Sequence, residues 1–108
     1  MLHSLKSVTD KINISWERVE EFCKNHHIRR LSFFGSILTN AFGPESDVDV
    51  LVEFERNHVP GFVRLAGMER ELSLVMGGRK VDMRTKEDLS QYFRDDVIRQ
   101  SEVIYAQE

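Results

Sequence analysis

Five residues of this sequence have types and spacing that suit chemistry: a Gly-Ser pair and three aspartates. Gly35-Ser36 ends a strand-forming segment, Asp47 and Asp49 open the next one, and Asp82 lies in a later one. Side chains alternate between the faces of a strand, so Asp47 and Asp49 share a face and lie roughly 7 Å apart. If Val48 and Val50 are buried together with Val81 and Met83, all three carboxylates lie on the opposite face of the sheet.

Carboxylates this close together favour binding of a divalent cation. They repel one another, and a cation removes that penalty. Oxygen-only ligands select Mg²⁺ or Mn²⁺ over zinc, and these ions bind phosphates. Gly35 lets a phosphate approach the backbone, and the Ser36 hydroxyl can hydrogen-bond it beside the N–H groups of a helix start. The pattern predicts a nucleoside-triphosphate site for phosphoryl or nucleotidyl transfer.

Each of these residues also has a purely structural interpretation. Asp47 and Asp49 would then be solvent-facing strand residues, although aspartate is poorly suited to strands. The place of Asp82 depends on how its strand pairs. Ser36 would cap the short helix that follows it, through the N–H groups that would otherwise bind a phosphate.

Four basic residues surround Asp82 in the sequence: Arg79, Lys80, Arg84 and Lys86. The favoured interpretation is a solvated sheet edge that discourages strand-to-strand aggregation. In the alternative, one or two of them neutralise triphosphate charge or receive an acidic partner surface.

The elements that must position these residues alternate between helix and strand. Apolar periodicity and turn residues divide the chain, with Ser15 as a helix cap and Thr85 to Asp88 as a capping box. His26 and His27 are adjacent and are interpreted as a helix end. The predicted elements are an N-terminal helical extension over 1–14, helices over 16–24 and 60–76, a helical segment over 37–41, strands over 28–34, 47–54 and 79–84, and a helical tail over 85–98.

This order predicts an α+β (α/β) fold, a small mixed β-sheet with helices packed mainly on one face. We expect a single domain over 1–108. The residues expected in the core or on the buried side of the second long helix are Trp16, Phe22, Cys23, Phe33, Phe34, Phe62, Leu65, Ala66, Glu69, Leu72 and Met76.

Composition excludes several classes of protein. With 108 residues, 41% hydrophobic and 31% charged, the chain is typical of one soluble domain. Its apolar runs are far shorter than the roughly 20 residues that cross a bilayer, so no membrane association is expected. Cys23 is the only cysteine, which predicts a cytoplasmic location. The net charge of -3 and pI of about 5.8 predict no direct nucleic-acid binding.

Gly35-Ser36, followed after ten residues by Asp47 and after one more by Asp49, resembles the signature of the DNA polymerase beta-like nucleotidyltransferases. The chain is most similar to their stripped-down branch, the minimal nucleotidyltransferase (MNT) antitoxins encoded beside HEPN-domain toxins. The resemblance runs from about residue 15 to residue 105 and includes the strand that carries Asp82. It implies the polymerase beta-like nucleotidyltransferase fold.

The resemblance also implies a mechanism for a Mg²⁺-dependent protein adenylyltransferase. Gly35 and Ser36 would hold the triphosphate of ATP. Asp47, Asp49 and Asp82 would ligate two Mg²⁺ ions, with Mn²⁺ as a substitute, and Asp82 would also deprotonate or orient the incoming hydroxyl. That hydroxyl attacks the α-phosphorus and pyrophosphate leaves. In this branch the acceptor is a tyrosine of the HEPN ribonuclease toxin, which the adenylate silences.

Two other functions compete with this one. A non-catalytic antitoxin would inhibit the toxin by binding and occlusion, which the small size and net acidity favour. Transfer of a nucleotide to a small molecule or to RNA 3′ ends is the third candidate, and the acidic pI opposes it. For assembly, we expect a homodimer or a hetero-oligomer with the toxin.

Overall fold

The computed structural model describes residues 12–107, which form one mixed four-stranded sheet with helices packed against it. Two short 3-10 helices follow the first and third strands. The elements, in chain order, are α1 Trp16–Asn25, β1 Ile28–Phe34, a 3-10 helix Gly35–Leu38, β2 Val48–Phe54, α2 Phe62–Val75, β3 Val81–Arg84, a 3-10 helix Lys86–Asp88, α3 Arg94–Gln100 and β4 Glu102–Ala106.

The sheet has the strand order β3-β2-β1-β4. β1 pairs antiparallel with both β2 and β4, whereas β2 and β3 are parallel. The parallel pair is joined by α2, as a parallel connection requires a crossover. The predicted mixed sheet is confirmed, with β3 at one edge.

The two faces of the sheet differ in character because β2 alternates with a period of two. Val48, Val50 and Val52 are buried against the helices, as predicted. α1 buries Val19, Phe22 and Cys23 on this side, and α2 buries Met68, Leu72 and Val75. We call the opposite side, which carries Asp49, Leu51 and Glu53, the open face. Within residues 12–107, α3 and the short 3-10 helix Lys86–Asp88 border the open face, whereas the two longer helices pack on the other face. The helices therefore lie mainly on one face, as predicted.

Local signals placed most of the described elements correctly. The Ser15 side chain accepts a hydrogen bond from the Arg18 amide at 3.4 Å and caps α1, which ends just before the two histidines. The capping box of Thr85 and Asp88 is present. It opens only a three-residue 3-10 helix, however, so the continuous helical tail is wrong.

Two further predictions need correction. The segment Glu102–Ala106 forms a fourth strand that the sequence did not predict, because its partner β1 lies some 70 residues away. Phe62 is 92% exposed, since Leu65 is the first residue of α2 to pack against the core and the fully buried residues begin at Met68. The predicted N-terminal extension falls outside the described residues except for 12–14, which are not helical.

No helix in the described part of the chain combines the length and apolar character needed to cross a bilayer.

Cys23 is fully buried in α1, as predicted. Burial raises the pKa of its thiol to about 12, and the Glu20 carboxylate acts in the same direction. Because the thiolate is the reactive form, we expect no labelling of native protein by a thiol-exchange reagent at neutral pH. Complete labelling should follow on unfolding in denaturant. Rapid stoichiometric labelling of the native protein would contradict this packing.

Candidate active site

The three predicted aspartates come together at one end of the open face. β2 and β3 pair in register, so that Asp49 and Asp82 are direct partners across the two strands. Asp47 lies two residues before Asp49 on the same side of the chain. All three residues are half-buried. We call Asp47, Asp49 and Asp82 the acidic trio.

The ionisation of Asp49 depends on the other two carboxylates. Burial raises the pKa of the Asp49 carboxyl, the negative charges of Asp82 and Asp47 raise it further, and the Arg84 guanidinium partly opposes them. Like charges disfavour ionisation of a neighbour in this way. The acidic trio is therefore a concentrated negative site, suited to a cation.

Gly35 lies directly beside the acidic trio. It follows Phe34, which pairs with Asp49 across β1 and β2. Its φ of +77° is in the left-handed region, and a Cβ at this position would collide with the Asp49 carboxylate. Glycine is thus required here for two separate reasons, backbone conformation and space.

Ser36 occupies the second position of the 3-10 helix Gly35–Leu38 and is half-buried. Its carbonyl accepts hydrogen bonds from the amide and hydroxyl of Thr39, at 2.9 and 2.8 Å. Among residues 12–107 no side chain caps this helix. The interpretation of Ser36 as a helix cap is therefore wrong, and the helix starts two residues earlier than predicted.

Arg79 holds the loop that leads into the acidic trio. Its guanidinium donates to the carbonyls of Gly43 and Ser46 at 2.9 and 3.3 Å and lies 4.4 Å from the centre of the Phe42 ring. Asp47 follows Ser46 directly. Arg79 is thus a positioning residue, which the interpretation as a solvated sheet edge did not anticipate.

Lys80 and Arg84 make ion pairs with the acidic trio. Lys80 Nζ lies 3.9 Å from Asp47, and the Arg84 guanidinium donates to Asp82 at 3.2 and 3.3 Å. Both cationic side chains are solvent-exposed, and pairs of this kind contribute under about 1 kcal/mol. A divalent cation would therefore compete successfully for these carboxylates.

Removing the Arg79 side chain is expected to loosen the loop before Asp47. Arg79→Ala leaves two carbonyls without their donor and the Phe42 ring without its cation, which should cost about 1–2 kcal/mol of stability. Displacement of Asp47 should also lower, about tenfold, the rate of the nucleotidyl transfer that the Gly-Ser and aspartate spacing predicts. Urea unfolding and an initial-rate assay measure these effects. The exposed Arg64→Ala is the matched control, and equal behaviour of the two variants would contradict the proposed role.

A cavity of about 620 Å³ lies on the open face, and its lining includes Leu51, two residues after Asp49, but none of the acidic trio, Gly35 or Ser36. Ser32, Leu51 and Glu53 form its floor, and Lys86 and Ile98 belong to its walls. Cavities of this size accommodate small ligands such as nucleotides. The alternation of β2 places Leu51 and Glu53 on the face that carries Asp49, but the cavity itself could not be predicted from the sequence.

Comparison with known proteins identifies the family. The family model for the nucleotidyltransferase domain matches residues 17–106. The chain belongs to this family. The family and the fold predicted from the Gly-Ser and aspartate spacing are therefore confirmed, and the nucleotidyltransferase family match covers every residue of the acidic trio together with Gly35 and Ser36.

Two archaeal relatives of this nucleotidyltransferase are named as protein adenylyltransferases. The protein adenylyltransferase MntA of Thermococcus cleftensis is 31% identical over 86 residues, covering 80% of this chain and 82% of its own. A protein of Methanocaldococcus jannaschii is 31% identical over 64 residues, covering 59% of this chain. The aligned part spans 63% of the length of the M. jannaschii relative.

Solved structures share the nucleotidyltransferase fold. A minimal nucleotidyltransferase is 28% identical with a TM-score of 0.64, covering 80% of this chain and 85% of its own. A toxin-antitoxin complex with AMP-PNP has a TM-score of 0.69 at 13% identity, covering 88% and 76%. The MntA-HepT toxin-antitoxin has a TM-score of 0.61 at 13% identity, covering 85% and 70%. At 13% identity the likeness concerns the fold alone.

Proposed function

We propose that this protein is a Mg²⁺-dependent adenylyltransferase that transfers AMP from ATP to a tyrosine hydroxyl of a partner HEPN-family ribonuclease toxin. The modification neutralises the toxin, so the protein acts as an antitoxin. The observation that carries this proposal is the convergence of Asp47, Asp49 and Asp82 beside the Gly35 turn. We propose further that residues 1–108 form one nucleotidyltransferase domain, which works in the cytoplasm.

The donor set fits Mg²⁺. The acidic trio offers only carboxylate oxygens as ligands, and burial together with the neighbouring carboxylates raises the pKa of Asp49. Mg²⁺ or Mn²⁺ suits such ligands. Asp47, Asp49 and Asp82 would hold the metal, two ions in this proposal. Bound Mg²⁺ supplies charge neutralisation at the triphosphate and at the departing pyrophosphate.

The residues of this chain then have distinct roles in the reaction. The Gly35-Ser36 turn holds the triphosphate, because Gly35 has no side chain to block it and Ser36 offers a hydroxyl. Asp82 takes up the proton of the tyrosine hydroxyl, whose oxygen forms a bond to the α-phosphorus. The bond from the α-phosphorus to the bridging oxygen breaks, and pyrophosphate leaves. The cavity on the open face, which reaches Leu51 two residues after Asp49, has room for the nucleotide.

A protein acceptor is supported by the relatives and by the surface. The T. cleftensis relative is named a protein adenylyltransferase, and toxin-antitoxin complexes share the fold. Val59, Phe62 and Val63 are 71%, 92% and 88% exposed at the start of α2. Exposed apolar side chains that cluster in this way are typical of a protein-binding surface. We propose a hetero-oligomer of antitoxin and toxin.

The test uses MgATP and the protein encoded by the adjacent reading frame. Intact-mass measurement should show one or more added adenylates on that protein, with none when Asp47→Ala and Asp49→Ala are combined. No mass gain would contradict the proposal, and so would a gain that the double variant leaves unchanged. Labelling of tRNA without any partner protein would instead support an RNA acceptor.

Occlusion of the toxin without chemistry is a second candidate, which the exposed apolar surface at the start of α2 favours. In this case Asp49→Ala would still neutralise the toxin at equal stoichiometry, whereas Phe62→Ser would not. If transfer is the mechanism, Asp49→Ala fails to neutralise but still binds. Toxin activity and complex formation, measured on the same samples, separate the two.

A further inference from the structure

A second cluster of ligand-type side chains lies at the opposite end of the sheet from the acidic trio. His27 precedes β1, Glu55 follows β2, and His58 lies in the next turn. Ile28 pairs with Phe54, so the start of β1 meets the end of β2. At about 3.3 Å per residue, the eight residues from His27 to Gly35 separate the two sites by roughly 25 Å.

The three side chains converge on one volume. One potential ligand atom from each of His27, Glu55 and His58 lies within 4.8 Å of the other two. The two imidazole rings are stacked, with centroids 3.9 Å apart and planes inclined by 17°. His27 Nδ1 lies 3.9 Å from Glu55 Oε1. The donor atoms of two imidazoles and a carboxylate therefore lie close together near the surface, and the ring stacking has to open before both nitrogens can face one ion.

The surrounding backbone fixes these three residues relative to one another. The Glu55 amide donates to the His27 carbonyl at 2.8 Å, and the His58 amide donates to the Glu55 carbonyl at 3.1 Å. Gln107 Nε2 donates to Glu55 Oε2 at 2.6 Å, so that Oε1 is the oxygen near His27. Ligating carboxylates in metal sites are commonly oriented by such outer hydrogen bonds.

We propose that His27, Glu55 and His58 form a binding site for a divalent transition-metal ion of the zinc class. Neutral imidazole nitrogens with one carboxylate suit Zn²⁺, Co²⁺ and Ni²⁺, whereas Mg²⁺ prefers oxygen ligands alone. This site and the acidic trio should therefore prefer different metal ions. A bound ion would clamp the turn between α1 and β1 to the segment that leads into α2.

The distances permit such an ion after a small adjustment. Tetrahedral zinc with nitrogen ligands at 2.0–2.1 Å places its donor atoms about 3.3 Å apart. The donors therefore have to close by up to about 1.5 Å. His58 is exposed, so rotation about its side-chain torsions can supply the movement while the two turns keep their hydrogen bonds.

The test titrates tag-free protein with Zn²⁺ by calorimetry and with Co²⁺ by visible absorbance, in excess Mg²⁺ that saturates the acidic trio. We expect one ion per chain with a dissociation constant of roughly 1 μM or tighter. A hundredfold excess over that constant should raise the Tm by about 10 °C. His58→Ala and Glu55→Gln should weaken binding at least about tenfold.

Two controls make the result specific. His26→Gln changes the neighbouring histidine, whose Nε2 contacts Glu71 at 2.9 Å, and should bind zinc like the natural chain. Asp47→Asn combined with Asp49→Asn should also bind normally, because those residues lie at the other end of the sheet. Circular dichroism checks that each variant is folded. Absence of saturable micromolar binding, or unchanged binding in a folded His58→Ala variant, overturns the proposal.

Discussion

Asp49→Asn is expected to abolish nucleotidyl transfer while making the metal-free protein more stable. Asp49 stands between Asp82 on the neighbouring strand and Asp47 two residues earlier, so its carboxylate is central to the proposed Mg²⁺ site. Asparagine keeps the shape of the side chain but removes the charge. We expect the transfer rate to fall at least about 100-fold, measured as adenylate added to the partner protein by intact mass.

The stability effect has a definite pH dependence. Burial and the neighbouring carboxylates raise the pKa of Asp49 in the folded state above its ordinary value of 3.8. A carboxyl group whose pKa is raised in the folded state stabilises the fold only while it is protonated. This contribution is complete below the pKa of the unfolded chain and is lost as the pH rises through the pKa of the folded state. Asp49→Asn should therefore have the higher urea midpoint at neutral pH, and the difference should vanish below about pH 4.

Magnesium should make the natural chain more stable than Asp49→Asn, the reverse of the order without metal. Mg²⁺ should bind the folded natural chain and raise its urea midpoint, whereas Asp49→Asn should gain less because a proposed ligand is missing. Asp95→Asn, at an exposed aspartate in the first turn of α3, serves as the control and should transfer AMP normally. Full activity of Asp49→Asn, or a Mg²⁺ response equal to that of the natural chain, would contradict the assigned role.

The acidic trio could be predicted because its signals are local. The valines of β2 must face the core, and the period of two then places Asp47 and Asp49 on the other face. Val81 and Met83 give Asp82 the same orientation in β3. The only non-local step was the pairing of β2 with β3, and a short parallel pair joined by a helix leaves few alternatives.

The features that the sequence did not predict depend on contacts distant in the chain. Glu102–Ala106 is a short apolar segment whose strand conformation comes from pairing with β1, and such runs are ambiguous between helix and strand. Arg79 contacts carbonyls 33 and 36 residues away. The second histidine of the proposed zinc site lies 31 positions after His27 in the sequence, and only the β1–β2 pairing brings them together. Pattern analysis of a single segment detects none of these contacts.

Gly35→Ala is expected to damage both the fold and the site, through a single added methyl group. The φ of +77° disfavours any residue with a Cβ, and that Cβ would also collide with the Asp49 carboxylate. We expect a loss of about 2–4 kcal/mol in the free energy of unfolding, from backbone strain and from displacement of Asp49. Because misplacement of a catalytic group by about 1 Å can cost 100-fold in rate, transfer should fall by a comparable factor.

Gly78→Ala separates the two causes. Gly78 has a similar φ of +85°, but no atom lies within 4 Å of where its Cβ would stand. This variant should lose only the strain component, about 1–2 kcal/mol, and should retain its activity because Asp49 is undisturbed. Urea unfolding and initial rates of both variants decide the question. If the two variants lose equal stability and equal activity, the collision of the added Cβ with the Asp49 carboxylate makes no contribution, and the proposed reason for glycine at position 35 is wrong.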